Sequence, residues 1–247
     1  MEYPKITIIT VCFNAVSCIE QTIKSVINQT YPNIEYIIID GNSIDGTIDI
    51  IEQYKDNITH WVSEPDKGIF DAMNKGIVLS HGDWVLFLNS GDYLYSDYVI
   101  SQCFLEKDYS GFSVLYGDVY KDYVSEDRYY KEKPFYSSHK KIKGMGICHQ
   151  AIFVQGNTIR GLKFDLSYKC CSDYNMMVQI YKEGGRFLSL NMPISVYSTI
   201  GFSVQQWKLC FYEEAKICGM HSSLLYKIIL CKRIAFMMMR KILNISR

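Results

Sequence analysis

The chain has 247 residues, enough for one large α/β domain or for a core with an appendage, and 48% of them are hydrophobic. Its 26 basic and 26 acidic residues cancel, which removes the general electrostatic case for binding nucleic acid. The nine cysteines include no CxxC pair, and no basic, apolar leader precedes the first strand pattern. We therefore expect reduced thiols in a cytoplasmic protein.

Strand and helix patterns alternate through the first part of the chain. Runs of β-branched and aromatic residues predict strands over residues 5–11, 34–39, 60–62 and 84–92. Helical apolar spacing and turn residues predict helices over residues 15–29, 47–54 and 69–79. Strands that alternate with helices imply right-handed crossovers, so the sequence predicts an α/β, Rossmann-like, mostly parallel sheet with helices on both faces.

Polar residues follow each of these strands. The segment WVLFLNSGD at residues 84–92 is typical of a buried strand that stops at turn residues, and Asp92 follows at the edge where open α/β sheets bind ligands. The other turns carry Asn14, Asp40, Asp45, Glu64, Asp66 and Lys67. A cleft with several carboxylates and one lysine repels a bare phosphate, so the pattern predicts a nucleotide diphosphate bound with a divalent cation.

Each of these residues also has a purely structural interpretation. Asp40 can begin a turn, Asp45 can cap the following helix, and Lys67 can be a solvated loop lysine. The segment from Gly41 to Thr47 lacks the lysine of a phosphate-binding loop, and no GxGxxG follows the first strand. P-loop and dinucleotide-binding interpretations therefore lose their main support.

Four segments resemble, in order and spacing, the signatures of family 2 glycosyltransferases with the GT-A fold. They are TVCFNA at residues 10–15, IDGNSIDGT at 39–47, SEPDKGIFDAMNKG at 63–76 and FLNSGD at 87–92. The resemblance extends from residue 6 to about residue 203. The chain is similar in particular to bacterial transferases that build O-antigen, capsule or colanic-acid-like polysaccharides.

The resemblance implies a nucleotide-sugar donor site at the strand ends. Contacts with the nucleotide base and ribose would come from Thr10, Phe13, Asn14 and Asp40. Asp45 would be a cap or a base contact, and Asp66 and Lys67 would border the uracil, ribose or diphosphate.

The resemblance also implies a metal site. Asp92 matches the last carboxylate of the family's DxD-like motif, which holds Mn²⁺ or Mg²⁺ against the donor diphosphate, and Asn89, Ser90 and Gly91 lie beside it. Asn89 and Gly91 stand where other members often have aspartate. One protein carboxylate would then touch the metal, and phosphate and water would supply the other oxygens, as Mg²⁺ tolerates.

The second half is expected to supply the acceptor side and the catalytic base. Strands are predicted over residues 113–119 and after Cys148, separated by a charged, tyrosine-rich connection over residues 121–133. Asp173 stands where a helix begins, so it could be only a charge that stabilises the helix amino terminus. The resemblance implies instead that Asp173 is the general base, which takes a proton from the acceptor hydroxyl in an inverting transfer.

Four further residues are candidates for acceptor or phosphate contacts: Asp118, His149, Gln150 and Ser203. A turn-forming aspartate explains Asp118 equally well, and a hydrogen-bonded structural histidine explains His149 nearly as well. Ser203 lies in a segment similar to the family's late glycine-containing loop, which a plain strand-to-helix turn explains too.

Residues 206–247 form a predicted helical tail after a catalytic domain at 1–205, whose nucleotide-sugar half is 1–92 and acceptor half 93–205. Beyond Glu214 no acidic residue occurs, and lysines and arginines punctuate an apolar series. Its longest uninterrupted apolar run, residues 234–239, is far shorter than the ~20 residues that span a bilayer. A basic amphipathic helix on the cytoplasmic face of the cell membrane explains both features. The alternative is packing on the catalytic domain, or on a second subunit in a homodimer.

Together these features predict an inverting glycosyltransferase of the hexosyltransferase class. The expected donor is a UDP-hexose or UDP-N-acetylhexosamine, and the resemblance implies a saccharide linked to undecaprenyl diphosphate as acceptor. A nucleotidyltransferase should show a glycine-rich, basic first loop, which residues 10–15 lack. A non-catalytic sugar-nucleotide-binding or scaffold module is the other alternative, and the presence of Asp92 and Asp173 argues against it.

Overall fold

The computed structural model describes residues 3–123, 128–132, 148–198, 206–224 and 226–232. Its strands are β1 (Ile6–Cys12), β2 (Ile34–Asp40), β3 (His60–Ser63), β4 (Trp84–Phe87), β5 (Tyr93–Leu94), β6 (Val114–Tyr123), β7 (Arg128–Glu132), β8 (Ile152–Gln155) and β9 (Phe187–Ser198). Its helices are α1 (Ile19–Ile27), α2 (Thr47–Gln53), α3 (Ile69–Leu79), α4 (Val99–Phe104), α5 (Gly156–Leu162), α6 (Ser172–Lys182) and α7 (Trp207–Ile217). Short 3-10 turns lie at Lys55–Asn57 and His149–Ala151.

Within these residues, nine strands form one sheet in the order β3-β2-β1-β4-β8-β6-β9-β5, with β7 beside β6. β1 to β4, β6 and β9 run in one direction, and β5, β7 and β8 run in the other. The predicted α/β class and mostly parallel sheet are confirmed. The parallel strands end at a common edge, and β8 begins there because it runs the opposite way.

Apolar cores cover both faces of the sheet. Every residue of β1 is buried, as expected for a strand between two helical layers. Side chains alternate across the sheet, so Ile8 packs in the core with α1, α2 and α4, and Ile9 packs with α3, α5 and α6 on the opposite face. Burying each such isoleucine contributes about 1.5–3 kcal/mol. Helices on both faces leave the strand ends as the accessible place for a ligand.

The predicted elements of the first half are confirmed with shifts at their ends, and one such shift concerns the start of α1. The spacing predicts a helix from Ala15, but α1 begins at Ile19. Asn14 adopts a φ of +48°, and the N–H of Ala15 donates to the Thr47 hydroxyl at 2.7 Å. The chain therefore turns and bonds to the neighbouring loop before the helix can begin.

The predicted connection over residues 121–133 is wrong in part. β6 continues to Tyr123, and β7 pairs with it as an antiparallel strand. β6 also pairs in parallel with β9 along most of its length, so ladder partners extend the strand through charged and tyrosine-rich sequence. Asp118 consequently lies inside β6, at an irregularity in the pairing with β9, and not after a strand end.

The described part of the predicted tail packs on itself and on the domain. The Phe211 ring of α7 stacks on Tyr226 with the ring centroids 5.1 Å apart, and α7 also contacts α6. Residues 226–232 are helical. None of the helices in the described ranges has the length and apolar character needed to cross a membrane. None of the nine cysteines, all of which lie in the described ranges, forms a disulfide.

Candidate active site

The turns after β1 and β2 hold each other through bonds between side chains and backbone. The N–H of Asn14 donates to the Ser43 hydroxyl at 2.8 Å, and Asn14 Oδ1 accepts a bond from the N–H of Ile44 at 3.1 Å. The positive φ of Asn14 directs its side chain across to the second turn. The two turns thus form one continuous rim above the ends of β1 and β2.

Asp45 stabilises the same rim. It accepts hydrogen bonds from the N–H of Val16 at 3.0 Å and from the N–H and hydroxyl of Thr47 at 3.0 and 2.6 Å. The bond from the Thr47 hydroxyl, with the backbone bonds, lowers the pKa of Asp45. The sequence allowed Asp45 to cap the following helix or to contact the nucleotide base. These bonds correspond to the first role, because they join Asp45 to residues at the start of α2.

Asp40 joins the ends of three strands. Its Oδ2 accepts bonds from the N–H of Ser43 at 2.8 Å and the hydroxyl of Ser63 at 2.7 Å, and its Oδ1 accepts a bond from the Ser43 hydroxyl. The Cys12 thiol lies 3.4 Å from Oδ1. Burial, together with the charge of Asp40, raises the pKa of this thiol. Asp40 therefore lies buried directly beneath the predicted nucleotide cleft.

Phe13, Gly41 and Asp66 form one wall of that cleft. A Cβ atom at Gly41 would lie 2.6 Å from Asp66 Oδ2 and 3.3 Å from Phe13 Cδ2, so both side chains lie close to Gly41. The Phe13 ring is 63% exposed, which leaves an aromatic face open for stacking. Asp66 Oδ1 accepts a bond from the N–H of Gly68 at 2.7 Å, and Lys67 is exposed between them.

Thr10 lies beneath the cleft. Its side chain is fully buried, and its hydroxyl donates to the Leu88 carbonyl at 2.8 Å and lies 3.1 Å from the Tyr36 hydroxyl. The N–H of Ser90 likewise bonds to the Val11 carbonyl at 3.1 Å. These contacts attach the segment after β4 to β1, and the Thr10 hydroxyl already has two partners within the protein.

The chain after β4 forms a tight turn that presents Asp92. The predicted strand end at Asp92 is wrong, because β4 stops at Phe87. Gly91 adopts a φ of +90°, and the N–H of Asp92 bonds to the Asn89 carbonyl at 3.0 Å. Thr22 of α1 fixes the turn, since its hydroxyl accepts the Gly91 N–H at 3.0 Å and donates to the Asp92 carbonyl at 2.7 Å.

The 3-10 turn before β8 links Asp92 to Asp173. Gln150 Nε2 donates to Asp92 Oδ2 at 3.1 Å. His149 Nδ1 lies 3.3 Å from Asp173 Oδ2, and His149 Nε2 lies 2.9 Å from Asn89 Nδ2. Burial alone would lower the pKa of His149, but the hydrogen bond and charge of Asp173, with the charge of Asp92, raise it. Asp92 and Asp173 are therefore linked, through Gln150 and His149, at one edge of the sheet.

The oxygen atoms at this turn fit a hard divalent cation. Asp92 supplies a carboxylate, and Asn89 Oδ1 is buried with no hydrogen-bond partner among the described residues. Mg²⁺ and Mn²⁺ prefer oxygen ligands of this kind. No group of three or more His, Cys, Asp or Glu side chains that could hold a metal occurs in the part of the chain described here. A cation at Asp92 would therefore take most of its ligands from diphosphate and water.

The remaining predicted site residues lie in different surroundings. Asp118 is 5% exposed within β6, and Ser203 lies outside the described residues. Asp173 is in the first turn of α6, and its side chain is 21% exposed. Of the acidic residues proposed for the acceptor side, Asp173 is thus the one that an incoming hydroxyl can reach.

Glu213 is a supporting residue that the sequence did not reveal. This carboxylate of α7 is 4% exposed. It accepts bonds from three consecutive N–H groups, those of Lys169, Cys170 and Cys171, at 2.8, 2.8 and 3.0 Å. The segment that it holds leads directly into α6 and Asp173. Its partners lie 42 to 44 positions away in the sequence, so no local pattern points to them.

Comparison with known sequences identifies relatives over most of the chain. Residues 7–170 match the sequence model of Glycosyl transferase family 2. An uncharacterised glycosyltransferase of Mycobacterium tuberculosis is 32% identical over 180 residues, which cover 71% of this chain and 68% of that protein. Escherichia coli WfaP, described as a UDP-Glc:alpha-D-GlcNAc-diphosphoundecaprenol beta-1,3-glucosyltransferase, is 27% identical over 201 residues, covering 81% and 79%.

Solved structures share the fold. A chain of residues 1–349 of S. aureus TarS, solved with UDP-GlcNAc, superposes with a TM-score of 0.66 at 16% identity over 88% of this chain, and the match spans 66% of that solved chain, just under two thirds of its length. Glucosyl-3-phosphoglycerate synthase of Mycobacterium tuberculosis, solved with Mn²⁺, UDP and glucosyl-3-phosphoglycerate, gives a TM-score of 0.60 at 12% identity, covering 89% and 82%. At such identities the likeness concerns the fold alone.

The architecture is therefore that of the GT-A glycosyltransferases, as the sequence predicted. The family follows from the sequence match, which covers well over half of the chain. This protein belongs to glycosyl transferase family 2.

Glu213→Ala should lower both the stability and the turnover of the protein. It leaves three N–H groups without their acceptor, of which that of Cys171 is buried, so we expect the free energy of unfolding to fall by roughly 2–4 kcal/mol. Urea denaturation measures this change. Glu183→Ala, at an exposed position after α6, is the matched control and should leave the midpoint in place. Equal midpoints for the two variants would contradict a supporting role for Glu213.

Proposed function

We propose that the protein is an inverting glycosyltransferase that moves a hexose or N-acetylhexosamine from a UDP-linked donor to a lipid-linked saccharide. One observation carries the proposal: the turn that holds Asp92 and the helix that holds Asp173 are joined through Gln150 and His149 at the ligand-binding edge of the sheet. One cleft can thus bind the leaving diphosphate and also hold the carboxylate that accepts the proton. Family membership favours glycosyl transfer over nucleotidyl transfer.

The donor would lie across the ends of β1 to β4. Phe13 offers an exposed ring for the base, and Asn14, Asp40 and Asp45 shape the rim around it. Asp66 and Lys67 would border the ribose and diphosphate. UDP is favoured because the name of the Escherichia coli relative specifies UDP-Glc, and the structural neighbour TarS was solved with UDP-GlcNAc.

The diphosphate would lie beside Asn89, Ser90, Gly91 and Asp92. Asp92 would hold Mn²⁺ or Mg²⁺, and the structural neighbour solved with Mn²⁺ and UDP supports a divalent cation. The bound cation would offset the diphosphate charge, more strongly as the nucleotide leaves. Gln150 orients the Asp92 carboxylate through its 3.1 Å hydrogen bond.

Asp173 would act as the base. Its carboxylate takes the proton of the acceptor hydroxyl while that oxygen attacks the anomeric carbon and the bond from this carbon to the diphosphate oxygen breaks. Attack from the face opposite the leaving group inverts the anomeric centre, so an α-linked donor gives a β-linked product. The name of the Escherichia coli relative describes a product with the β configuration.

The acceptor would be a saccharide on undecaprenyl diphosphate, in the synthesis of a bacterial surface polysaccharide such as O-antigen or capsule. The support is the Escherichia coli relative, whose name gives alpha-D-GlcNAc-diphosphoundecaprenol as its acceptor. Asp118, Gln150 and Ser203 remain candidates for acceptor or phosphate contacts. Asp118 would contribute only if the acceptor reaches into the sheet, because it is buried.

A membrane surface is the proposed location of the tail. In the helical segment before residue 233 one face is exposed and combines apolar and cationic side chains: Leu224, Lys227, Ile228, Cys231 and Lys232. Such a face suits the boundary of an anionic cytoplasmic leaflet. The further basic residues Arg233, Arg240 and Lys241 lie outside the described residues. A homodimer through this face is the alternative.

Metal dependence is tested at Asp92. Asp92→Asn keeps the shape of the side chain but removes its charge, so we expect kcat to fall by at least roughly 100-fold while the protein stays folded. Transfer should also stop in EDTA and return with Mn²⁺ or Mg²⁺. Asp97→Asn changes an exposed aspartate nearby and should retain activity. Undiminished transfer in EDTA would exclude the metal.

The base is tested at Asp173. Asp173→Asn removes the proton acceptor, so kcat should fall by roughly 10² to 10⁴, while UDP binding measured by calorimetry is retained. NMR of the product should show a β linkage from an α-linked donor. An α-linked product would rule out a single inverting displacement, and an active Asp173→Asn variant would move the base to another residue.

Membrane binding is tested with the two described lysines of the exposed face. Each lysine near an anionic surface contributes about 1 kcal/mol, so Lys227→Gln with Lys232→Gln should weaken partitioning to anionic vesicles by roughly 30-fold. Lys55→Gln with Lys107→Gln, two exposed lysines elsewhere, is the matched control. Vesicle sedimentation at low and high salt measures both pairs. If both pairs sediment alike and sedimentation velocity shows dimers, the face is a subunit interface.

A further inference from the structure

We propose that His149 is the positioning residue of the catalytic base: its Nδ1–H bonds to Asp173 and holds the carboxylate in the orientation that receives the acceptor proton. The inference rests on the proposed function in that it takes Asp173 as the base. It assigns His149 a role different from the acceptor or phosphate contact that the sequence suggested.

The partners of the imidazole fix the direction of its hydrogen bonds. Asn89 Nδ2 lies 2.9 Å from His149 Nε2, and because an amide nitrogen only donates, Nε2 is the acceptor in the neutral ring. The single ring proton is then on Nδ1, which faces Asp173 Oδ2 at 3.3 Å. The hydrogen bonds thus run in one direction, from Asn89 through His149 to Asp173.

The same bond to Asp173 is present when the ring carries two protons. Nε2 would then need an acceptor, and rotation of the Asn89 amide would bring Oδ1 to face it. This oxygen is buried and has no other hydrogen-bond partner among the described residues. In both charge states of His149, Nδ1 therefore has a proton to donate to Asp173, and Asn89 can satisfy the opposite nitrogen.

Asp173 is held at both carboxylate oxygens and still has room for substrate. Its Oδ1 accepts the N–H of Tyr174 at 2.8 Å, a bond from the first turn of α6, and its Oδ2 faces His149. A carboxylate has about four acceptor positions, so positions remain for a hydroxyl. The His149 ring has both nitrogens occupied, which leaves it none for a phosphate. The geometry therefore suits a support for the base better than a substrate contact.

This arrangement predicts an effect on turnover without an effect on donor binding. The hydrogen bond restricts the rotation of the Asp173 carboxylate. The donor contacts lie on the turns after β1 to β4, and Asp92 accepts hydrogen bonds from Gln150 and Thr22. Loss of the His149 donor should lower kcat and leave UDP affinity in place.

Three substitutions separate the two ring nitrogens. His149→Asn can place an amide nitrogen near the Nδ1 position, His149→Gln can place one near the Nε2 position, and His149→Ala removes both. We expect kcat to fall about 10- to 100-fold in the Gln and Ala variants, the range of a hydrogen bond to a charged group. His149→Asn should recover most of the activity. Thermal unfolding of each variant identifies those that remain folded.

A double-mutant cycle tests whether His149 acts through Asp173. In the Asp173→Asn background, His149→Ala should cost little further activity, because residues that act as one unit are not additive. Equal losses in the folded Asn and Gln variants, or a fall in UDP affinity that parallels the fall in kcat, would overturn the positioning role.

The controls distinguish this inference from the proposed function. Wild-type activity in Asp173→Asn would overturn the assignment of the base, and with it both proposals. An inactive Asp173→Asn variant with wild-type kcat in His149→Gln and His149→Ala would overturn the role of His149 alone.

Discussion

The candidate site depends on the antiparallel insertion of β8 between β4 and β6. Because β8 runs against β4, it begins at the edge where β4 ends. The 3-10 turn just before β8 therefore lies beside the turn after β4, where His149 contacts Asn89 and Gln150 donates to Asp92. A parallel β8 would begin at the opposite edge of the sheet. The link from the metal-binding candidate to Asp173 therefore follows from the direction of one short strand.

The distribution of hydrogen bonds separates structural carboxylates from functional ones. Glu35, Asp40 and Glu213 are at most 5% exposed, and each makes at least three hydrogen bonds. Such bonding is what a buried charge requires, because an unpaired one is strongly unfavourable. Asp173 has fewer protein bonds and greater exposure, and His149 fixes its direction. Asp173 is held in one orientation and still has unused acceptor positions. A general base needs these positions, and a structural carboxylate does not.

Sequence patterns predicted elements that a few neighbouring residues specify, and missed those that distant segments specify. α3 occupies the predicted residues 69–79 because its apolar spacing is local. β6 runs past its predicted end because β9 and β7 pair with it, and Glu213 supports α6 from another helix. The burial of the Thr10 side chain was missed for a different reason. All of β1 is buried, so the strand shows no polar alternation to reveal which side chains face a cleft.

Glu213 also couples the base to the tail. It fixes the backbone that leads into α6, so the orientation of α7 and the position of Asp173 depend on each other. The next helical residues pack on α7 through Tyr226 and carry the exposed apolar and cationic face. If that face rests on a membrane, the packing of Tyr226 on α7 and the hydrogen bonds of Glu213 would set the distance between Asp173 and the lipid headgroups. The sugar of an acceptor anchored by a lipid diphosphate also lies at a height set by its anchor. The same membrane surface would therefore position both reaction partners, which reduces the orientational freedom lost when they meet.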